Sequence, residues 1–267
     1  MAITALNAAA TGLRALSTRI DVVANNLANA ETNAFKRHRT NFEDLMYLVQ
    51  KQPGAQNSAG DLSPAGIFVG LGVKVSNTQL DLEQGSLEST GRQLDVAISG
   101  QGFFRVKTNI GDGFAYTRNG NFFTNKDGDM ILGMGDGYRI DPPITLPPDT
   151  SEISISQDGV VQVLRANAIE KETVGEIKVF QFVNPNGLYQ MGGSLYQETD
   201  SSGEAVESDP GTNGSGTLQQ TFLEASNVDP VKELVTLIKT QRAFELNSQS
   251  IQTADQALQT IGNLRRM

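Results

Sequence analysis

Residues able to do chemistry are few in this chain, and they are badly spaced for it. The only histidine, His38, lies in Lys36-Arg37-His38-Arg39. A general base or a zinc or iron site built on it needs partners, and no second histidine exists. A basic surface turn after a helix explains the same four residues. Asn125, Asp127 and Asp129 have the one-three-five spacing of a calcium loop, yet Met130 stands where that loop needs Gly and Asp136 where it needs Glu. A tight hairpin at Asp127-Gly128 is the better reading. Gly133-Met134-Gly135-Asp136-Gly137 has the glycines of a phosphate loop but neither the following Lys-Ser/Thr nor a helix. There is no Gly-x-Ser-x-Gly elbow, and the absence of cysteine excludes thiolate catalysis, disulfides and cysteine-ligated metal. The expectation is a protein that is not an enzyme and uses no metal or cofactor.

Composition narrows the partners. With 30 acidic against 21 basic residues the net charge is -9, whereas a nucleic-acid binder needs clustered Lys and Arg. Nowhere do 18 consecutive apolar residues occur, and Met1 to Ala10 lacks the basic and apolar regions of a secretory signal. Neither a membrane span nor a cleaved signal is expected. The 267 residues, 38% of them hydrophobic, suffice for one large domain or two smaller ones.

The elements that must position everything else lie at the two ends. Leu6, Leu13, Ile20 and Leu27 recur every seven residues, with Ala9, Leu16, Val23 and Ala30 three further on. Leu237, Phe244, Ile251 and Leu258, with Ile261, repeat that period at the far end. Both read as coiled-coil seams suited to self-assembly, and the polar Thr240 and Asn247 on the second line of the last helix resemble register-setting residues. The first helix is expected from about Ile3 to Asn29, where three asparagines compete for backbone hydrogen bonds. At ~1.5 Å per residue it spans about 40 Å. The second should start at Asp229-Pro230, with Asp as N-cap, and run to about Arg265.

Between these ends the pattern changes twice. From Ala34 to Gln93, breakers at Pro53-Gly54 and Ser63-Pro64 interrupt short apolar runs, which suggests an extended connector. From Leu94 to Tyr196, period-two runs alternate with turn pairs at Asn119-Gly120, Asp127-Gly128 and Asp158-Gly159, each a hairpin signal. The fold class expected is α+β: long N- and C-terminal helices paired as a coiled coil, an extended connector, and a mainly antiparallel β domain. The divisions are 1–35 with 225–267 for the helices, 36–93 with 200–224 for the connector, and 94–199 for the β domain.

Asn25-Asn26-Leu27-Ala28-Asn29-Ala30-Glu31-Thr32-Asn33-Ala34-Phe35-Lys36 resembles the N-terminal signature of the rod and hook proteins of the bacterial flagellum. Asp95 to Phe104, Tyr116 to Phe122, and Ser226-Asn227-Val228 with Gln241-Arg242-Ala243-Phe244-Glu245 are similar to that family's β-domain and C-terminal motifs. Residues 46–66, with Gln52, Pro53, Gly54, Ala55 and Gln56, resemble the insertion of its distal-rod branch. The resemblance implies a structural subunit of a hollow drive shaft crossing the periplasm, with terminal helices innermost and the β domain outermost. It implies as partners other copies of the chain, proximal rod proteins, the hook protein, the surrounding bushing rings and the flagellar export apparatus. A hook or proximal rod subunit, or a secreted β-rich binding module on a coiled coil, are the alternatives.

Overall fold

The structure, a computed structural model, describes residues 2–54, 64–108, 113–133, 137–166 and 170–264. The motif residues Ala55 and Gln56, the loop centre Met134 to Asp136 and the terminal Arg265-Arg266-Met267 fall outside them. Among the described residues two α-helices flank an otherwise antiparallel β chain with one 3-10 turn at Pro185–Gly187, so the class is α+β. The chain divides into two units, one of residues 1–28, 38–80 and 229–267, the other of 29–37 and 81–228.

In the first unit, α1 (Ala2–Ala28) stops at the asparagine-rich turn, where the Thr32 hydroxyl donates to Asn29 Oδ1 at 3.1 Å. Strands β1 (His38–Asp44), β2 (Tyr47–Lys51), β3 (Ile67–Gly70) and β4 (Val73–Leu80) form a two-stranded ribbon, β1 pairing with β4 and β2 with β3. The two pairs are spliced by backbone bonds from Leu45 N to Gly72 O and from Leu71 N to Met46 O. Gly72 has φ +122°, and a Cβ there would lie 2.1 Å from Thr11 Oγ1 of α1. That hydroxyl also accepts from Val73 N at 3.3 Å, so the ribbon backbone meets a helix side chain.

In the second unit, strands β5 (Leu87–Ser89), β6 (Val96–Ser99), β7 (Phe104–Lys107), β8 (Phe114–Thr117), β9 (Phe122–Thr124), β10 (Met130–Leu132) and β11 (Arg139–Asp141) come first. They are followed by β12 (Thr150–Ile155), β13 (Val160–Arg165), β14 (Glu172–Glu176), β15 (Val179–Gln181), β16 (Tyr189–Gly192), β17 (Leu195–Gln197), β18 (Val206–Ser208), β19 (Thr217–Gln220) and β20 (Phe222–Glu224). A seven-stranded sheet has the order β16-β17-β8-β7-β11-β10-β9, and β12-β13-β14 form a second sheet. Their apolar faces meet in one core that includes Ile98, Phe104, Phe122, Met130, Val161 and Ile177. A core of that kind is what lets short strands persist, since an isolated two-stranded hairpin is marginal in water.

Turn chemistry is local, and two of the three predicted hairpins form. Asp127-Gly128 joins the paired β9 and β10, with Asn125 Oδ1 accepting from Asp127 N and Asp129 N, both at 2.9 Å. Asp158-Gly159 joins β12 to β13. Asn119-Gly120 does not make a hairpin, because β8 and β9, on either side of it, pair with other strands. Glycine is required there for close approach: a Cβ on Gly120 would sit 1.6 Å from the Val96 carbonyl oxygen, while Gly120 O accepts from Val96 N at 3.0 Å. Helix α2 (Pro230–Leu264) then begins as expected, with Asp229 Oδ1 accepting from Val231 N and Lys232 N at 3.0 and 3.2 Å. Those amides and the Lys232 ammonium hold the Asp229 carboxyl below the usual range.

Two outcomes test this packing. Gly120→Ala should lower denaturant stability of the second unit by about 2–3 kcal/mol through overpacking. Gly214→Ala, at φ +80° but with nothing within 4 Å of the added carbon, should cost only about 1 kcal/mol of backbone strain. Burial, reinforced at Tyr116 by the Glu198 carboxylate, pushes the hydroxyls of Tyr116 and Tyr196 up to about 12 from an ordinary 10.0. Since the folded pKa values are raised, this stabilisation is whole below pH 10 and is lost as pH rises through about 12. The unfolding midpoint should therefore drop across that window, with tyrosinate absorbance rising as the unit opens.

Candidate assembly site

The surface of the first unit starts from the contact between its helices. Asn26, near the end of α1, meets Glu233, near the start of α2, with amide Nδ2 donating to Oε2 at 3.4 Å. Gly12 meets Asn247, whose Nδ2 lies 3.2 Å from where a glycine Cβ would be. The helices therefore run antiparallel, and their closest approach uses small and polar side chains. Gly12, Ala15, Val23 and Asn26 are buried on α1, as are Glu233 and Thr240 on α2.

The predicted seam residues lie mostly beside that line. Leu6, Leu13, Leu16, Ile20 and Leu27 are half-buried and Val23 is buried; Leu237 and Ile251 are half-buried. Phe244 and Leu258 are exposed, and nothing is described of the Ile261 side chain. The outer face of α2 is apolar as well: Val231 is 70% exposed, Ile238 57% and Leu246 64%. Along the ribbon, Met46, Tyr47, Leu48, Ile67 and Phe68 are all exposed. Of the connector motif, Gln52, Pro53 and Gly54 lie at the described edge of that ribbon and are exposed. So much uncovered apolar surface on α2 and an edge ribbon marks interaction surface.

The signature residues divide differently. Asn25 and Ala28 are exposed, Asn29 caps its own turn through Thr32, and Phe35 is half-buried. Lys36 corrects the surface-turn reading. Its side chain is 1% exposed, and its ammonium donates to Glu224 Oε1 at 2.6 Å and to the Glu83 carbonyl at 2.7 Å. The other oxygen of Glu224 accepts from Arg118 Nε at 2.7 Å, and Gly85 N donates to Oε1 at 3.0 Å. Arg118 spends its remaining donors on the carbonyls of Gly102, Ile98 and Gly100. Burial lowers the Lys36 pKa against the opposing pull of Glu224. Arg37 is paired as well, with Asp81 at 2.5 Å, while Asn227 Oδ1 accepts from Arg37 N at 2.7 Å and its Nδ2 donates to Asp81 O at 2.8 Å. The sequence signal for this network was available: a basic residue closing one motif, an arginine inside a second, and a lone glutamate within Phe222-Leu223-Glu224-Ala225.

Among the described residues no cluster of His, Cys, Asp and Glu could hold a metal ion, and no helix is long and apolar enough to cross a membrane. In the calcium-like loop Asp129 is occupied within the protein: it pairs with Arg139 at 3.0 Å and accepts from Thr145 at 2.8 Å.

Residues 6–36 match the description Flagella basal body rod protein, residues 97–163 the Flagellar hook protein FlgE/F/G D1 domain, and residues 219–264 the Flagellar basal body rod FlgEFG protein C-terminal. The chain is 43% identical to the flagellar basal-body rod protein FlgG of Caulobacter vibrioides over 98% of its own length and 99% of the relative's. It belongs to the flagellar basal-body rod protein FlgG family. Identity is 42% to the FlgG of Buchnera aphidicola from Schizaphis graminum, covering 95% of this chain and 96% of that one. It is 38% to the FlgG of Bacillus subtilis, covering 96% of each. A solved Helicobacter pylori flagellar hook protein FlgE2 overlaps 71% of this chain and 43% of its own at 12% identity and a TM-score of 0.25, too slight a likeness to bear on the fold. As a member of the rod family the chain is a structural axial subunit of the flagellar rod, located in the basal body. Each matched segment supplies one member of the buried triad: Lys36 the first, Arg118 the second, Glu224 the third.

Glu224→Gln should destabilise the second unit by about 3–5 kcal/mol, because it strands two buried cations. Lys36→Met should cost less, since Arg118 still neutralises Glu224. Urea titration followed by far-ultraviolet circular dichroism measures both, and equal costs would contradict the shared-carboxylate account.

Proposed function

We propose that the chain is a subunit of the distal rod, polymerising into a straight hollow shaft that passes torque from motor to hook and lets export substrates through. The observation that carries the reading is the uncovered apolar surface of α2 and the ribbon beside the half-buried leucines of α1, in a chain whose β unit has its own core. Burying one Leu or Ile is worth about 1.5–3 kcal/mol against water, so seam residues repeated on every subunit can offset the entropy of ordering long helices. Contacts that repeat along a helical lattice add without closing, which gives a filament instead of a ring.

In this proposal the terminal segments, 1–35 with 225–267, pair as a coiled coil and line the tube. Residues 36–93 with 200–224, including the insertion at 46–66, form the intermediate layer, and 94–199 form the outer surface. The seam comprises Leu6, Leu13, Leu16, Ile20, Val23, Leu27, Leu237, Phe244, Ile251, Leu258 and Ile261. Its heterologous partners are proximal rod proteins, the hook protein, the bushing rings and the export apparatus; catalysis, metal and cofactor play no part. Torque then passes through packing stiffness.

Leu13→Asp combined with Ile20→Asp should leave the β unit folded and abolish sedimentable polymer. Normal rods from that double variant would sink the seam. Deletion of residues 52–61 should give a more bendable tube, read as a shorter persistence length in electron micrographs; an unchanged straight rod would remove the stiffening role of the insertion.

A further inference from the structure

Apolar helix faces do not by themselves fix how far one helix slides along the other. In the first unit a single buried amide does more than the leucines around it. Asn26 is 1% exposed, and its Oδ1 accepts from His38 N at 2.9 Å while its Nδ2 donates to His38 O at 2.9 Å. One side chain thus satisfies both backbone groups of the first residue of β1, as a neighbouring strand would. The same Nδ2 reaches Glu233 Oε2 on α2, a residue only 6% exposed. Three elements, α1, α2 and the ribbon, converge on one group.

A second close approach obeys the same register. Gly12 lies fourteen residues before Asn26, and Asn247 fourteen after Glu233. Gly12 meets Asn247, with Thr240, midway on α2, 2% exposed. A slip of α2 by one turn would part the buried Glu233 carboxylate from the Asn26 amide, and a buried polar group that loses a bond carries a desolvation cost. Leucine and isoleucine contacts have no such penalty for sliding.

We propose that Asn26 is the positioning residue of the helix pair: its amide sets the register of α2 on α1 and anchors the start of the ribbon, and so decides which apolar residues face outward for assembly. The consequence for polymerisation rests on the assembly reading above; the register itself does not. Asn26 acts on partners through the helices it aligns and touches none of them itself.

The test uses the full-length chain, which contains no cysteine, with Gly12→Cys and Asn247→Cys added as a register reporter. The two positions are close enough for a disulfide, since a Cβ on Gly12 lies 3.7 Å from Asn247 Cγ. Oxidation should cross-link the parent pair efficiently. Asn26→Leu and Asn26→Asp, the latter placing a second carboxylate against Glu233, should each lower the cross-linked yield by about tenfold and raise the concentration needed for sedimentable polymer similarly. Adding Glu233→Gln to Asn26→Asp restores a donor opposite the carboxylate but not the bond to His38 O, and should recover both readings in part, by about threefold over Asn26→Asp alone. Absent cross-linking in the parent, equal cross-linking in Asn26→Leu, or no rescue by Glu233→Gln would each overturn the positioning role. A parent that cross-links but never sediments would instead count against the assembly reading alone.

Discussion

The second unit depends on one buried carboxylate. Glu224 sits at the end of β20 and takes the Lys36 ammonium on one oxygen and the Arg118 guanidinium on the other. A charge taken out of water costs several kcal/mol unless it is paired and hydrogen-bonded. Here every group is both, down to the carbonyls of Gly102, Ile98 and Gly100 on Arg118 and that of Glu83 on Lys36. The arrangement joins a segment from near the chain's start, the loop after β8 and a strand from near its end. A hydrophobic contact of the same size would hold them together without specifying which residues meet.

The first unit follows the opposite logic. Its second helix leaves large apolar side chains in solvent, while the two helices meet where Asn26 bonds Glu233 and Gly12 abuts Asn247. Small residues bring the backbones near, polar residues fix the register, and the larger apolar residues remain available at the flanks. A helix pair intended only for itself would bury its leucines. One whose stability depends on neighbours leaves them uncovered, as helical stability in proteins is mostly tertiary.

What could be read from the sequence was what local chemistry decides. Asp229-Pro230 marked the start of α2 because capping involves residues two and three positions away. The asparagine run marked the end of α1, and Asp127-Gly128 and Asp158-Gly159 marked hairpins, for the same reason. Asn119-Gly120 misled because its glycine answers to the Val96 carbonyl, a contact no local window contains. Lys36 looked like a surface cation because its partners stand at positions 83 and 224. The seven-residue periodicity located the helices, but hydrophobicity alone did not show that Glu233 and Asn247 would meet α1 at Asn26 and Gly12. The family resemblance carried the rest, since nothing in composition or spacing specifies a rod.

The central claim is that the helices complete their packing only among copies while the β unit is complete alone. Amide hydrogen exchange of the full-length chain, measured on monomer and on sedimented polymer, tests it most directly. The account predicts strong protection in β6, β7 and β13 in both states, and a large gain on polymerisation confined to α1, α2 and the ribbon β1–β4. Equal protection of the helices in both states, or a gain concentrated in the β core, would contradict it.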